Sequence, residues 1–428
     1  MSSQEIIRRK RYCQIINEIS GSARYMVVGI DVGKDKHHAF MGSATGISLY
    51  RKLIFENNLN GFSRLVNTAD QIKAQNGLTK VVFGLEPTGN YHKPLARHLI
   101  GCDRDLVLTA GQAVKNNRQI LNGRWDKNDT KDAANVADLI SRGRCLYYDL
   151  PQQEIVDLRA LLSLRRRLKK EEHSLRMRIR NGLLAQYFPE LDQFYNACES
   201  ENMAIARWCL SPAKIAAMEF DQFFKMVTRS RRGIAQKLRL EKIYQAAIDS
   251  VGCPIGLATE FEAELLVEKL NQIQGQVHDT EELIEDICLT FSEYSYLLTI
   301  PGFGPYISAK LLAAIADPFR FENRNQVLRL SGFDLCANRS GKTSDQAVPV
   351  ISKNGNSELR YALYQAANVA ASRTAHFRAY FTKMLQGRER EKGIKTKMRV
   401  KLAAKMLVIA WTLMKKKEVF DPDHLNID

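Results

Sequence analysis

The hydrophobic period of this chain changes near Pro151, and that change restricts it to a sheet-bearing half followed by a helical half. Before that point, short apolar runs of strand composition recur: Tyr25 to Ile30, His37 to Met41, Ile47 to Phe55, Lys80 to Leu85 and Asp105 to Thr109. Helical spacing appears between the later runs, over Gly61 to Gln75 and Tyr91 to Ile100. Strands first, then strands alternating with helices, indicate a layered α/β or α+β domain over residues 23–150, preceded by a basic extension over 1–22.

After Pro151 the pattern is helical. Glu154 to Tyr187 carries Leu161, Leu168 and Leu175 at seven-residue steps. Ala258 to Phe291 steps through Ala263, Leu266, Leu270, Ile273, Val277, Ile284 and Ile287, close to a heptad seam. Residues 151–292 are therefore expected to form long coiled-coil helices around a smaller helical insert. Those helices would pair with each other or with another subunit. Residues 293–420 read as helices broken by Gly-rich turns, ending in a basic stretch from Lys383 to Lys417. The fold class expected is α/β plus all-α.

The 428 residues carry 63 Lys and Arg against 47 Asp and Glu, a formal charge of +16. Such an excess concentrates polyanions at the surface and favours nucleic acid or an anionic membrane as partner. No run of apolar residues is long enough for a membrane span, and no apolar core follows the N-terminal charges of Arg8 to Arg11. The expectation is a cytoplasmic protein. Its eight cysteines contain no C-x-x-C pair, which argues against a zinc site and for reduced thiols.

Within the first domain, acids stand where strands end. Asp31 closes the first strand in Gly-Ile-Asp-Val-Gly, and Glu86 follows the Lys80 strand in Glu-Pro-Thr-Gly-Asn-Tyr. Asp129 and Asp132 open a helix three residues apart, so they share a face. Carboxylates gathered at one point repel unless they take up protons or hold a cation. Oxygen ligands select hard cations, so Mg²⁺, or alternatively Mn²⁺, is the expected cofactor. Asp35 and Asp126 remain open as substitutes for any of the four.

Asp31-Val-x-Lys34, then Glu86-x-Thr-Gly-x-Tyr91, then Asp129-x-x-Asp-Ala133 resemble the DEDD motif of a class of insertion-sequence transposases. That class is related to pilin-gene invertases, has a RuvC-like (RNase H-type) N-terminal domain, and includes bridge-RNA-guided recombinases. A second resemblance starts at Ile300-Pro-Gly-Phe-Gly-Pro305 and continues through Arg339-Ser-Gly341 and Ser352-Lys-x-Gly-Asn356-x-x-Leu-Arg360. It is similar to that family's C-terminal transposase domain.

The resemblance implies that Asp31, Glu86, Asp129 and Asp132 hold the metal and that Ser340 is the nucleophile. A serine attack on a DNA phosphate would leave a covalent phosphoserine that conserves the bond for rejoining. Gly302 and Gly304, with the helix start after them, would meet a phosphate through backbone N–H groups. Lys342, Lys353, Arg360, Arg165, Arg166 and Arg176 would also contact nucleic acid. The partners implied are donor and target DNA, a guide RNA on resemblance alone, and further copies of the chain as a dimer or tetramer, the two sites combining across subunits. A RuvC-like nuclease that hydrolyses with water, such as a junction resolvase, is the main alternative. An ATP-dependent kinase and a non-catalytic scaffold are weaker ones.

Overall fold

The computed structural model describes residues 3–122, 129–194, 211–228, 233–336 and 350–425. The chain divides into two compact units, Met1–Leu150 and Pro151–Asp428.

The first unit is built on a six-stranded sheet. Its strands are β1 (Tyr25–Asp31), β2 (Lys36–Ser43), β3 (Ser48–Glu56), β4 (Lys80–Leu85), β5 (Asp105–Leu108) and the two-residue β6 (Leu146–Tyr147), in the order β3-β2-β1-β4-β5-β6. The β1–β2 and β2–β3 pairs are antiparallel, β1–β4 and β4–β5 are parallel, and β6 returns antiparallel to β5. A mixed sheet in this order is consistent with an RNase H-like DEDD fold. β1 is buried on both faces, which is why its sequence reads as an unbroken apolar run.

Residue parity separates those faces. Met26, Val28, Ile30, Phe83 and Leu85 face α2 (Leu59–Gln75) and α3 (His92–Gly101) in one core. Tyr25, Val27, Val82 and Val107 face Val136, Ala137 and Ile140 of α5 (Asp129–Ser141) in a second core. On that second face β1 and β4 carry glycine. A Cβ on Gly29 would lie 2.1 Å from the Ala133 carbonyl oxygen, and one on Gly84 would lie 2.2 Å from Ile140 Cδ1. The two glycines let α5 settle directly on the strand backbones.

The N-terminal residues belong to this unit. Helix α1 (Ser3–Glu18) buries Ile15 in the α5-side core, and Ile19 just after the helix joins it there. Its Arg8 donates to the Tyr148 carbonyl at 2.8 Å, and the Tyr12 hydroxyl donates to that of Cys145 at 2.9 Å. A helix with so many charges and so few buried positions leaves a weak period, so the sequence shows it only as a basic extension.

Among its described residues the second unit is helical apart from a two-stranded ribbon. Its long helices α6 (Gln153–Arg178) and α10 (Leu257–Leu289) lie side by side. Between them in sequence come α7 (Pro212–Ala216), α8 (Phe220–Val227) and α9 (Ile234–Ile248). These pack Ile215, Phe223, Leu240 and Ile243 against Leu168, Leu175, Leu266 and Leu270, at one end of the helix pair. At the other end, Ile155, Leu158, Leu162, Ile284 and Cys288 join a separate core with the C-terminal helices. The seam therefore runs through Leu158 and Leu162 before reaching Leu168. Leu161 and Leu164, the first expected from the seven-residue step, are only partly buried.

The C-terminal helices are α11 (Ser292–Leu298), α12 (Pro305–Ile315), α13 (Arg324–Ser331), α14 (Ser357–Arg373), α15 (Ala375–Leu385) and α16 (Ile394–Lys416). The ribbon strands are β7 (Leu335–Cys336) and β8 (Val350–Ile351), which pair antiparallel. No described helix is long and apolar enough to cross a membrane.

Two predictions follow from this packing. Gly29→Ala forces α5 off the sheet and is expected to destabilise the chain by about 2–3 kcal/mol in a urea melt. Glu172, buried on α6, is held by Lys169 and Arg176 at 2.5 Å each. Burial pushes its carboxyl up, but the Lys169 hydrogen bond and the two cations outweigh burial, so its pKa falls below the usual 4.5. A depressed carboxylate stabilises the fold above the unfolded value, and that contribution is lost as pH falls through it. Glu172→Leu should leave stability at pH 7 within about 1 kcal/mol of the parent. It should also flatten the loss of melting temperature on acidification below about pH 4.5.

Candidate functional site

Asp31 and Glu86 are neighbours by strand register. Ile30 pairs with Leu85, so the two acids leave adjacent parallel strands side by side. Strand alternation puts both on the face of Gly29 and Gly84, towards α5. Each is half-buried, and each has a polar or electrostatic partner.

The turn after Asp31 is held from below. Buried His37 accepts a hydrogen bond at Nδ1 from the Gly33 N–H at 3.3 Å, and a Cβ on Gly33 would strike the Lys36 carbonyl oxygen at 2.3 Å. Burial lowers the His37 pKa, which keeps the ring neutral and able to accept. His38 points the other way. It pairs directly across from Asp31 and therefore shares the acids' face. No motif in the sequence marks it, although the alternation along β2 carries the signal.

Glu86 approaches the start of α4 (Gly111–Asn122): a Cβ on Gly111 would lie 2.9 Å from Glu86 Oε1. A helix N-terminus favours a negative charge there. Asp132, on α5, is only 4% exposed. Its Oδ1 lies 2.7 Å from Arg118 Nη2 on α4, yet that oxygen has no aligned hydrogen bond. The contact is thus one of charge, with the oxygen's lone pairs left unmatched.

Beside it a buried amide network ties α4 to α5. Asn117 donates to Asn135 at 2.6 Å and to Asp138 at 2.8 Å, and Asn135 donates to the Val114 carbonyl at 2.7 Å. Arg118, Asn117 and Asn135 are likewise unmarked, because nothing in spacing links two helices across an intervening loop.

The acids share one end of one face without closing into a ligand shell. Among the described residues no three His, Cys, Asp or Glu side chains stand close enough to hold a metal ion. Asp129 opens α5, but its side chain lies outside the described residues. The donor set still fits a hard divalent cation: carboxylates only, one of them buried with an unmatched oxygen and restrained by an arginine.

In the second unit, Ser340 and Lys342 lie outside the described residues. The base of their segment is described. The arms β7 and β8 pair Leu335 with Ile351 and Cys336 with Val350. Below them the Ser352-Lys-x-Gly-Asn string forms a backbone knot. Ser352 Oγ is bonded to Asp334 at 2.6 Å, and the Lys353 N–H donates to Gly332 at 3.1 Å. A Cβ on Gly355 would lie 2.5 Å from the Gly332 nitrogen. Asn356 caps α14 through the Glu358 and Leu359 N–H groups.

Several other residues expected at nucleic acid have structural partners. Arg360 Nη1 donates to the Ser331 carbonyl at 2.7 Å, and Lys353 is held at φ 57°. Gly302 packs on α14, where a Cβ would meet the Ala366 carbonyl at 2.7 Å. Gly304 is the N-cap of α12, with open space around it. Arg165 bonds Glu281 at 2.7 Å and lies 3.8 Å from the Tyr306 ring centre, Arg166 pairs with Glu358, and Arg176 with Glu172.

Two family models match the chain, the first of them running past Leu150 into the helical unit. A model of IS110-type DEDD transposases matches residues 28–189, and a model described as the IS116/IS110/IS902 transposase family matches residues 294–382. The chain is 23% identical over 401 residues to an uncharacterized 44.8 kDa protein of insertion element IS116 from Streptomyces clavuligerus, covering 92% of this chain and 96% of that one. It is 22% identical over 394 residues to the transposase for insertion sequence element IS1111A from Coxiella burnetii, covering 92% and 91%.

The Arg118–Asp132 contact gives a test by double mutation. Arg118→Met leaves a buried carboxylate unpaired and should cost about 1–3 kcal/mol in denaturant melts, since Arg118 itself is partly exposed. Adding Asp132→Asn should recover most of that loss; an additive result would show that the two side chains are not coupled.

Proposed function

This chain belongs to the IS110-type DEDD transposase family, and from that premise we propose that it cleaves and rejoins DNA through a covalent phosphoserine. The observation that carries the reading is the placing of Asp31, Glu86 and Asp132 at one end of the α5 face of the sheet. Asp31, Glu86, Asp129 and Asp132 would hold Mg²⁺, with Mn²⁺ as a substitute. When bound, the ion supplies Lewis-acid activation of a nucleophile and stabilises charge on the leaving oxygen.

The residues have separable tasks. The Arg118 guanidinium keeps Asp132 in its buried position and competes with any cation for it. His37 fixes the turn that presents Asp31. Ser340 Oγ attacks phosphorus, and the displaced sugar oxygen leaves with a proton as hydroxyl. The return attack of a sugar hydroxyl then expels the serine and restores a phosphodiester. The knot at Gly332 and Gly355 fixes the base from which the Ser340 segment departs. The protein would act as a homo-oligomer in the cytoplasm, on donor and target DNA, with a bridge RNA supplying sequence choice by base pairing.

A water-using RuvC-like nuclease is the competing reading, favoured by a sheet that would suffice for hydrolysis without the second unit. One experiment separates them. The full chain is incubated with Mg²⁺, donor and target DNA and co-purified RNA, and DNA-linked protein is sought after denaturation. The adduct should form with the parent, vanish in Ser340→Ala, and fall by about two orders of magnitude or more in Asp31→Asn or Glu86→Gln. Strand cleavage that persists in Ser340→Ala would instead establish the nuclease.

A further inference from the structure

A cleft of about 290 Å³ opens in the second unit between α6, α12 and the start of α14. Its lining includes Asn356, at the end of the Ser352-Lys-x-Gly-Asn string, and the cleft has had no role so far. Its α6 wall presents Arg159, Ser163 and Arg166, and its α12 wall presents Lys310. On α6 these positions recur at steps of three and four, so they form one stripe. The floor contains Ala313 and Ala314, whose small side chains leave the space open.

Two of these cations, Arg166 and Lys310, meet one carboxylate, Glu358, in the first turn of α14. Glu358 pairs with Arg166 and lies 3.6 Å from Lys310 Nζ. Lys310 is built into the wall: its side chain is only 12% exposed, and its ammonium lies 4.7 Å from the Tyr306 ring centre. Arg159 is oriented by its Nε, which donates to the Ala313 carbonyl at 2.8 Å. A lysine this enclosed, aimed into an open cleft, is more than a solvated charge.

We propose that this cleft is a seat for a backbone phosphate of nucleic acid, and that Glu358 occupies its cations until the phosphate arrives. The chemistry of the exchange is balanced. A carboxylate and a phosphodiester each present two oxygens sharing one negative charge, so either can meet Arg166 and Lys310. After exchange, Glu358 keeps its place at a helix N-terminus, where a negative charge is favoured without a cation beside it. The phosphate has no sequence information to give, so the seat sets register along the backbone. The inference deepens the transposase reading, and the same phosphate chemistry could come from DNA or from RNA.

Binding is measured with the full chain, by anisotropy, on a 30-base-pair DNA duplex of arbitrary sequence and on an RNA hairpin, over a salt series. Glu358→Gln should tighten binding to one probe by about three- to ten-fold at low salt. Lys310→Met should weaken it by a similar factor and lower the salt slope by about one. The gain from Glu358→Gln should disappear in the Lys310→Met background. The probe that responds identifies the strand that uses the seat.

Lys310→Gln serves as a second variant if Lys310→Met melts early. Unchanged affinity and slope on both probes in Glu358→Gln and in a folded Lys310 variant would overturn the proposal. The covalent-adduct assay, run on the same proteins, reports on the transposase reading separately. An adduct formed at parental yield alongside unchanged binding would reject the seat and leave that reading standing.

Discussion

Everything proposed for the first unit depends on how closely α5 lies against β1 and β4. Gly29 and Gly84 remove the side chains that would hold the helix away; Ala133 and Ala137 meet Gly29 from the other side, and Ile140 meets Gly84. The first turns of the helix then lie over Gly29, which puts Asp132 at the end of the face where Asp31 and Glu86 leave their strands. Burying a carboxylate in that position is costly without a counter-charge. Arg118 supplies one, and the Asn117–Asn135 network locks the helix that carries Arg118.

The second unit solves a different problem. Its C-terminal region must hold the two arms of a segment, residues 337–349, from a small base. It does so with main-chain contacts more than with side chains. Gly332 takes φ 71° at the end of α13, Gly355 packs against it without a Cβ, and Arg360 ties the Ser331 carbonyl to the first turn of α14. Arg360, which the sequence offers as a phosphate contact, also has this structural task. Of the cations that line the cleft, Arg159 and Arg166 belong to the basic run of α6 that the sequence displays, whereas Lys310 attracts no notice there.

That contrast describes how much was legible. β1 and β4 could be read because burial on both faces writes a continuous apolar run. The acids could be read because strand ends are where a layered fold exposes chemistry. Their common face could not, since it depends on the parity of Gly29 with Asp31 and on strand pairing. His38 became relevant only when the register set it opposite Asp31. The cleft around Lys310 draws on three segments distant along the chain, which no local period connects. Ser340 is singled out by resemblance alone and falls outside the described residues.

The paired helices α6 and α10 bear on how the second unit comes apart. Each runs through two cores, one around Phe223 and Leu240, the other around Leu363 and Met406. A rod common to two apolar clusters lets either cluster melt while the other keeps the rods together. Amide exchange should accordingly fall into two classes along the same helices, with Leu175 and Leu266 following one cluster and Leu158 and Ile284 the other. Cooperative loss of the whole unit would then be a property of conditions in which both clusters happen to be equally stable.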